Sequence, residues 1–402
     1  MTGFFISDYE DIKQGRTTDI YFMRTKEILK SRGKDRVHAS AEVTCGNVPD
    51  GRDWGVLCGI EEVARLLEGL PIDVYAMPEG SLFSPSDCRG VRLPVIVIEG
   101  SYYEFCEYET PLLGFICQES GVASRAAYAK MAAGEKTVVA FGIRRQHPGI
   151  APAMDRAAYI GGMDGVSSLI GAETIQQKAM GTMPHSLIIV FEDQVEAWKA
   201  YNEVMPDDVP RVCLVDTYYD EKKESVMAAE ALGEELDAIR LDTPGTRRGD
   251  FAKIIKEVRW ELDLRGYNDV EIFVSGGLNE NSIHEMAEAG ADAFGVGTWV
   301  SGAPTVDFAL DITELEGRPA AKRGKLSGRK QVWRCRECIL DLVRMVDSEP
   351  PKCPLCGGET EAMLKPLIRN GEIVAELPEP RKIREYTMEQ VRRITDRASE
   401  ED

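Results

Sequence analysis

No run of eighteen apolar residues occurs in the 402-residue chain, so a membrane-crossing helix is not expected. The start, Met1-Thr-Gly-Phe-Phe-Ile-Ser-Asp8, lacks the basic residues and apolar core of a secretory leader, which makes the cytoplasm the expected compartment. Positive charge is scarce as well. Forty-eight lysines and arginines against 68 aspartates and glutamates leave a net charge of −20, which repels phosphate backbones and argues against broad nucleic-acid binding. Histidine is scarcer still, with 4 in the chain. Cysteine is not lacking, but six of the 10 (Cys45, Cys58, Cys88, Cys106, Cys117 and Cys213) are scattered, as suits reduced thiols in a reducing compartment. What remains is 43% hydrophobic content over a length sufficient for two or three domains with a sizeable core.

Residues 1–112 mix short strands and helices without regular alternation, which predicts a separate α+β domain. Leu93 to Glu99 is its clearest strand, and a helix-like run reaches Leu29. From Gly114 the pattern becomes regular. Candidate strands at 137–141, 165–169, 211–215, 238–241, 271–274 and 293–296 mostly alternate with helical segments such as Ser225 to Leu232 and Phe251 to Leu264. Strand then helix, repeated, means a parallel sheet, and this many units favour an irregular (β/α) barrel over residues 113–315. Leu187-Ile-Ile-Val-Phe191 fits either a buried strand or the first turns of a helix.

The polar residues of this half fall just past the strands. Arg144 and Arg145 follow the first, Asp216 the third and Asp242 the fourth. The pairs Gly276-Gly277 and Gly297-Thr298 end the last two. In a barrel these positions share one face. Glycine at a strand end bares backbone N–H groups to a phosphate, arginines pair with phosphate oxygens, and carboxylates suit hydroxyls or a metal ion, so together they describe a site for a phosphorylated sugar. Taken singly, each is as well explained by a turn, a helix cap or a surface ion pair. His185, in Met180-Gly-Thr-Met-Pro-His185, is either a nucleophile or acid–base group of that pocket or a loop histidine with no task.

Residues 316–402 read as a third region. Arg318, Lys322, Arg323, Lys325, Arg329 and Lys330 form a basic stretch free of acids, readable as a solvated linker or as a cationic flap over a polyphosphate. Cys335-Arg-Glu-Cys338 and Cys353-Pro-Leu-Cys356 follow, fourteen residues apart, with Gly357-Gly358 after the second pair. Two Cys-x₂-Cys pairs at this spacing supply four thiolates for a closed, structural zinc site, a zinc ribbon. Thr387-Met-Glu-Gln390 resembles a capping box opening a C-terminal helix.

With these residues assembled, the sequence resembles nicotinate phosphoribosyltransferases, most of all the archaeal type that carries a C-terminal zinc ribbon. The motifs are Thr18-Asp-Ile-Tyr-Phe22, Phe141-Gly-Ile-Arg-Arg145, Gly181-Thr-Met-Pro-His185, Asp216-Thr-Tyr218, Arg240-Leu-Asp242, Ser275-Gly-Gly-Leu278 and Gly295-Val-Gly-Thr298. The resemblance implies the irregular barrel of type II phosphoribosyltransferases behind an N-terminal α+β domain. It also implies transfer of phosphoribosyl from phosphoribosyl pyrophosphate to nicotinate, giving nicotinate mononucleotide and pyrophosphate in NAD biosynthesis, coupled to ATP hydrolysis. By the same resemblance Tyr21 and Thr182 line the nicotinate site, Arg240 holds the base or its carboxylate, and Asp242 meets the ribose hydroxyls. Gly276, Gly277, Gly297 and Thr298 hold the 5-phosphate, and His185 is phosphorylated by ATP. Mg²⁺ and the arginines, Arg144 among them, would balance the pyrophosphate. A homodimer, or a higher multiple, is implied in which Tyr21 serves the neighbour's barrel. Thr243-Pro-Gly-Thr246 departs from the Ser-Gly-Asp that follows Arg-Leu-Asp in many relatives. The alternatives are a quinolinate-type phosphoribosyltransferase and, in another class, a zinc-ribbon nucleic-acid-binding module on a degenerate barrel.

Overall fold

The computed structural model describes residues 3–247 and 249–401. It divides into two compact units, Met1–Ser124 with Ala303–Asp402, and Arg125–Gly302.

The first unit is built on a seven-stranded antiparallel sheet, in the order Arg318–Pro319, Phe308–Leu315, His38–Cys45, Pro94–Ser101, Ile72–Ala76, Lys365–Arg369 and Glu372–Ile373. His38–Cys45 alternates Ala39, Ala41, Val43 and Cys45 with Ser40, Glu42 and Thr44, and all seven are buried. The apolar set enters the core with Leu67, Ile96, Ile98 and Leu112. The polar set needs cover of another kind, because a buried carboxylate is costly without a cation. Lys330 supplies it, with Nζ 2.8 Å from Glu42. On the same face Lys322 and Lys325 pair with Asp311, and Arg329 pairs with Glu99 at 2.6 Å. The basic stretch therefore supplies cations to the acidic face of this sheet through Lys322, Lys325, Arg329 and Lys330, while Arg318 and Arg323 are exposed, as the linker reading expects. Its composition is the complement of Glu42, Glu99 and Asp311.

Two boundaries differ from the sequence expectation. Phe308–Leu315, expected in the barrel, pairs along its length with His38–Cys45, and the helix Glu109–Ala133 runs through the expected boundary at residue 112. Thr387 does not cap a helix. It lies inside Pro380–Glu401, where its hydroxyl is buried within reach of the Gly80 and Ile383 carbonyls, while Gln390 bonds to Gly80 and Leu82. The Thr-x-x-Gln spacing seats this helix on a loop and does not start it.

The second unit holds six parallel strands in the order Gly165–Val166, Thr137–Ala140, Ala293–Val296, Glu271–Ser275, Ala238–Leu241 and Val212–Leu214. Short, buried, β-branched runs between amphipathic helices give this arrangement. Leu187-Ile-Ile-Val-Phe191 is helical, within His185–Phe191, and Gln194–Val204 follows it. With helices where a further strand would pair, the sheet keeps two edges at Gly165–Val166 and Val212–Leu214, and the barrel is irregular. Val296 stands beside Ala140, Ser275 beside Gly295, Val274 beside Leu241 and Leu214 beside Arg240. All six strands, being parallel, consequently bring their C-terminal ends together along one rim, the C-terminal edge of the sheet.

Candidate active site

That edge encloses a cavity of about 100 Å³. Arg144 and Arg145 reach it from a short 3₁₀ turn, Arg240 and Asp242 from the end of their strand, and Gly276, Gly277, Gly297 and Thr298 from the last two loops. Gly276 has φ +93° and Gly277 φ +68°, the left-handed region that glycine enters without a Cβ penalty. A Cβ on Gly276 would also stand 3.2 Å from Asp242 Oδ1. The loop thus brings backbone against the carboxylate, leaving the cavity open for a ligand oxygen.

Ser275, whose part the motif alone did not disclose, ties the two charged residues together. Its hydroxyl donates to Asp242 Oδ1 at 2.7 Å and accepts from Arg240 Nε at 2.9 Å. Arg240 Nη1 donates to Thr182 Oγ1 at 2.8 Å, and its Nη2 lies 3.1 Å from Asp242 Oδ2. The guanidinium also sits 5.3 Å from the centre of the Phe141 ring. Three side chains and one ring face leave Arg240 little rotational freedom, as suits a group that must present a flat fork to a carboxylate or phosphate. Phe141 and Ser275 were both visible in the motifs, but only as spacers.

Next to this cavity His185 Nε2 lies 2.8 Å from Asp216 Oδ1. The Asp216 side chain is 2% exposed and that of His185 35%. The hydrogen bond to Asp216 raises the His185 pKa above the ordinary histidine range, with burial working against it and the charges of Asp216 and Asp242 adding to it. A raised folded-state pKa means that this pairing stabilises the fold below the ordinary histidine pKa and is lost as pH rises through the raised value. Asp216 is itself steadied by the Asp242 N–H at 2.8 Å. The loop beyond it is clamped by buried Glu224, which accepts the N–H groups of Thr217, Tyr218 and Tyr219.

The expected residues therefore divide. Arg144, Arg240, Asp242, Gly276, Gly277, Gly297 and Thr298 line one cavity. Thr182 joins them through Arg240, and His185 with Asp216 joins through Asp242. Tyr21 belongs to the other unit, on the helix Ile20–Ser31, where it is 54% exposed and its hydroxyl lies 3.3 Å from Asp19.

The four clustered cysteines of the first unit converge. Cys335 Sγ is 3.4 Å from Cys356 Sγ and Cys338 Sγ 3.5 Å from Cys353 Sγ, with all four within 4.8 Å of one another. Tetrahedral zinc with bonds of ~2.3 Å requires sulfur separations of roughly 3.8 Å, so the four can hold such an ion. Each pair sits on a tight turn with a left-handed residue, Ile339 or Gly357, and the turns hang from the three-stranded sheet Asp341–Met345, Lys330–Cys335, Thr360–Ala362.

Comparison with known proteins agrees with this geometry. Residues 122–311 match the family model described as quinolinate phosphoribosyl transferase, C-terminal domain, and residues 19–120 match its N-terminal domain. Nicotinate phosphoribosyltransferase pncB1 of Mycobacterium tuberculosis is 29% identical over 90% of this chain and 87% of its own length. A crystal structure titled nicotinate-nucleotide pyrophosphorylase, from Pyrococcus furiosus, is 55% identical and superposes with a TM-score of 0.94 over 98% of this chain and 99% of that one. Human nicotinic acid phosphoribosyltransferase shares the fold, with a TM-score of 0.76 over 94% of this chain and 93% of its own, at 19% identity. The chain belongs to the nicotinate phosphoribosyltransferase family.

Proposed function

We propose that this enzyme displaces pyrophosphate from phosphoribosyl pyrophosphate with the ring nitrogen of nicotinate, giving nicotinate mononucleotide for NAD biosynthesis. The observation that carries the reading is one hydrogen-bonded group, Thr182–Arg240–Ser275–Asp242, standing against two glycine loops in a single cavity. Gly276, Gly277, Gly297 and Thr298 take the 5-phosphate, Asp242 the ribose hydroxyls, and Arg240 with Thr182 the nicotinate carboxylate. Departure of pyrophosphate builds positive charge on the sugar and negative charge on the leaving group. Arg144 and Arg145, exposed and without a carboxylate partner among the described residues, are free to meet the latter. Mg²⁺, when bound, neutralises further charge there, and the Asp242 oxygens are hard ligands of the kind it prefers. The four cysteines hold a structural zinc ion. The reduced thiols that this requires fit the cytoplasm. A quinolinate-type transfer is the second reading, because the matching family models carry that name. Turnover of nicotinate against quinolinate tests the choice.

His185 takes a phosphoryl group from ATP on the ring nitrogen that Asp216 does not hold. His185→Ala is expected to abolish ATP stimulation while leaving slow, ATP-independent transfer. Steady-state assays with and without ATP check this, and ATP hydrolysis that still keeps step with product would contradict it.

Tyr21 supplies an aromatic face that suits a flat, electron-poor ring. Its exposure, with Ile20, Met23 and Ile28 exposed on the same helix, supports a homodimer in which it serves the neighbour's nicotinate. Mixing inactive Tyr21→Ala and Asp242→Ala subunits is then expected to restore up to about a quarter of parental activity, since one site in a mixed dimer is intact and random mixing makes half the dimers mixed. Mixed dimers, verified by mass spectrometry, that stay inactive would place Tyr21 in its own subunit's site or in none.

A further inference from the structure

Asp216 is held by more than its histidine. While Oδ1 faces His185, Oδ2 accepts the Asp242 N–H at 2.8 Å and lies 3.0 Å from Thr243 Oγ1. Thr243 Oγ1 is in turn 2.6 Å from Glu221 Oε1. Three separate segments meet there: the end of the strand Val212–Leu214, the end of Ala238–Leu241, and the first turn of the helix Glu221–Leu232. Thr243 is 7% exposed, and its branched side chain is stiff about χ1. A carboxylate, in contrast, turns in a broad, two-fold well unless both oxygens are engaged.

We propose that Thr243 is a positioning residue, which fixes the plane of the Asp216 carboxylate and through it the orientation of the His185 ring. The inference rests on the reading that His185 takes up the phosphoryl group. A nitrogen that attacks phosphorus must be aimed, and its angle is set by the acceptor holding the opposite nitrogen. With the Asp242 N–H alone, Oδ2 would have one tether and the carboxylate could swing; the Thr243 hydroxyl, with its one proton turned to Oδ2, adds a second, and Glu221 Oε1 is the competing acceptor of that proton. The charged groups facing the His185–Asp216 pair are Asp242, Arg240 and, through Thr243, Glu221, whereas Glu224 is turned to backbone N–H groups.

Thr243→Val keeps the volume and removes the hydroxyl. With four histidines in the chain, the His185 ring is identifiable by NMR from the resonance that His185→Ala deletes. In the full chain, without substrates, the His185 titration midpoint is expected to fall by about half a unit to one unit in Thr243→Val and to return in Thr243→Ser. ATP-stimulated kcat is expected to fall about three- to tenfold, with KM for nicotinate changed less than about twofold. A midpoint equal to that of the parent, or no rescue by serine, would overturn the proposal. If Thr243→Val does not fold, Thr243→Ala also removes the hydroxyl and gives the same readout, and an unmoved midpoint there overturns it equally. A lowered midpoint with unaltered ATP stimulation would uphold the alignment of the ring and overturn instead the phosphoryl-acceptor role of His185.

Discussion

Replacing Arg240 with alanine is expected to lower kcat/KM for nicotinate by about 10²–10³-fold, the usual loss when one preorganised charged donor leaves an active site. The physical reason is the number of tasks that one side chain performs. Arg240 binds Ser275, Thr182 and Asp242 at 2.9, 2.8 and 3.1 Å and lies against Phe141. Its loss removes the donor proposed for the base and also frees Asp242 from the orientation in which Arg240 and Ser275 hold it. Arg240→Lys should recover little, because an ammonium is a point donor and cannot span three partners as a planar fork does. Added guanidinium ion should recover part of the alanine variant's activity. Steady-state kinetics on the three proteins checks this. A loss of less than about fivefold in Arg240→Ala would show that the base and the ribose are held by other groups.

Breaking the cysteine cluster is expected to have the largest effect on stability. A structural zinc site contributes about 10 kcal/mol or more in isolated finger peptides, as much as the whole stability of many domains. Cys353→Ser should therefore lose the metal and open the sheet formed by Lys330–Cys335, Asp341–Met345 and Thr360–Ala362. The opening should spread to the C-terminal helix, because buried Arg334 joins Asp341 at 2.7 Å to Gln390 at 2.8 Å. Hydrogen exchange should show lost protection across these strands and around Gln390. Elemental analysis of the parent, purified without added metal, should give one zinc per chain. Less than half an equivalent, with the thiols paired, would contradict the assignment.

The elements legible in the sequence were those whose signal is local. Ala238–Leu241, Ala293–Val296 and Phe251–Leu264 end where the apolar pattern ends, because a short buried strand between helices carries its own boundaries. Leu187-Ile-Ile-Val-Phe191 has no period of its own. Its helix buries Ile188 and leaves Val190 79% exposed, a distinction that only the surroundings make. Long-range pairing was not legible either: Thr44 meets Ala309 in the sheet, and Lys330 finds Glu42 from 288 residues away. That is why the pairing of Lys322, Lys325, Arg329 and Lys330 with the sheet's acids was not legible. In the site, strand-end arginines, aspartates and glycines were visible because a parallel sheet places strand ends together by rule. The bridging parts of Ser275 and Thr243 were not, since a bridging hydroxyl is defined by its partners and carries no mark in the sequence.

The central claim, that this cavity joins phosphoribosyl to nicotinate, is tested most directly by product analysis. The purified enzyme is given phosphoribosyl pyrophosphate and Mg²⁺ with nicotinate, nicotinamide or quinolinate in parallel, each with and without ATP. Nicotinate is predicted to yield nicotinate mononucleotide and pyrophosphate in equal amounts, faster with ATP, and the other two bases little or nothing. Preferential consumption of quinolinate, with release of carbon dioxide, would contradict the account.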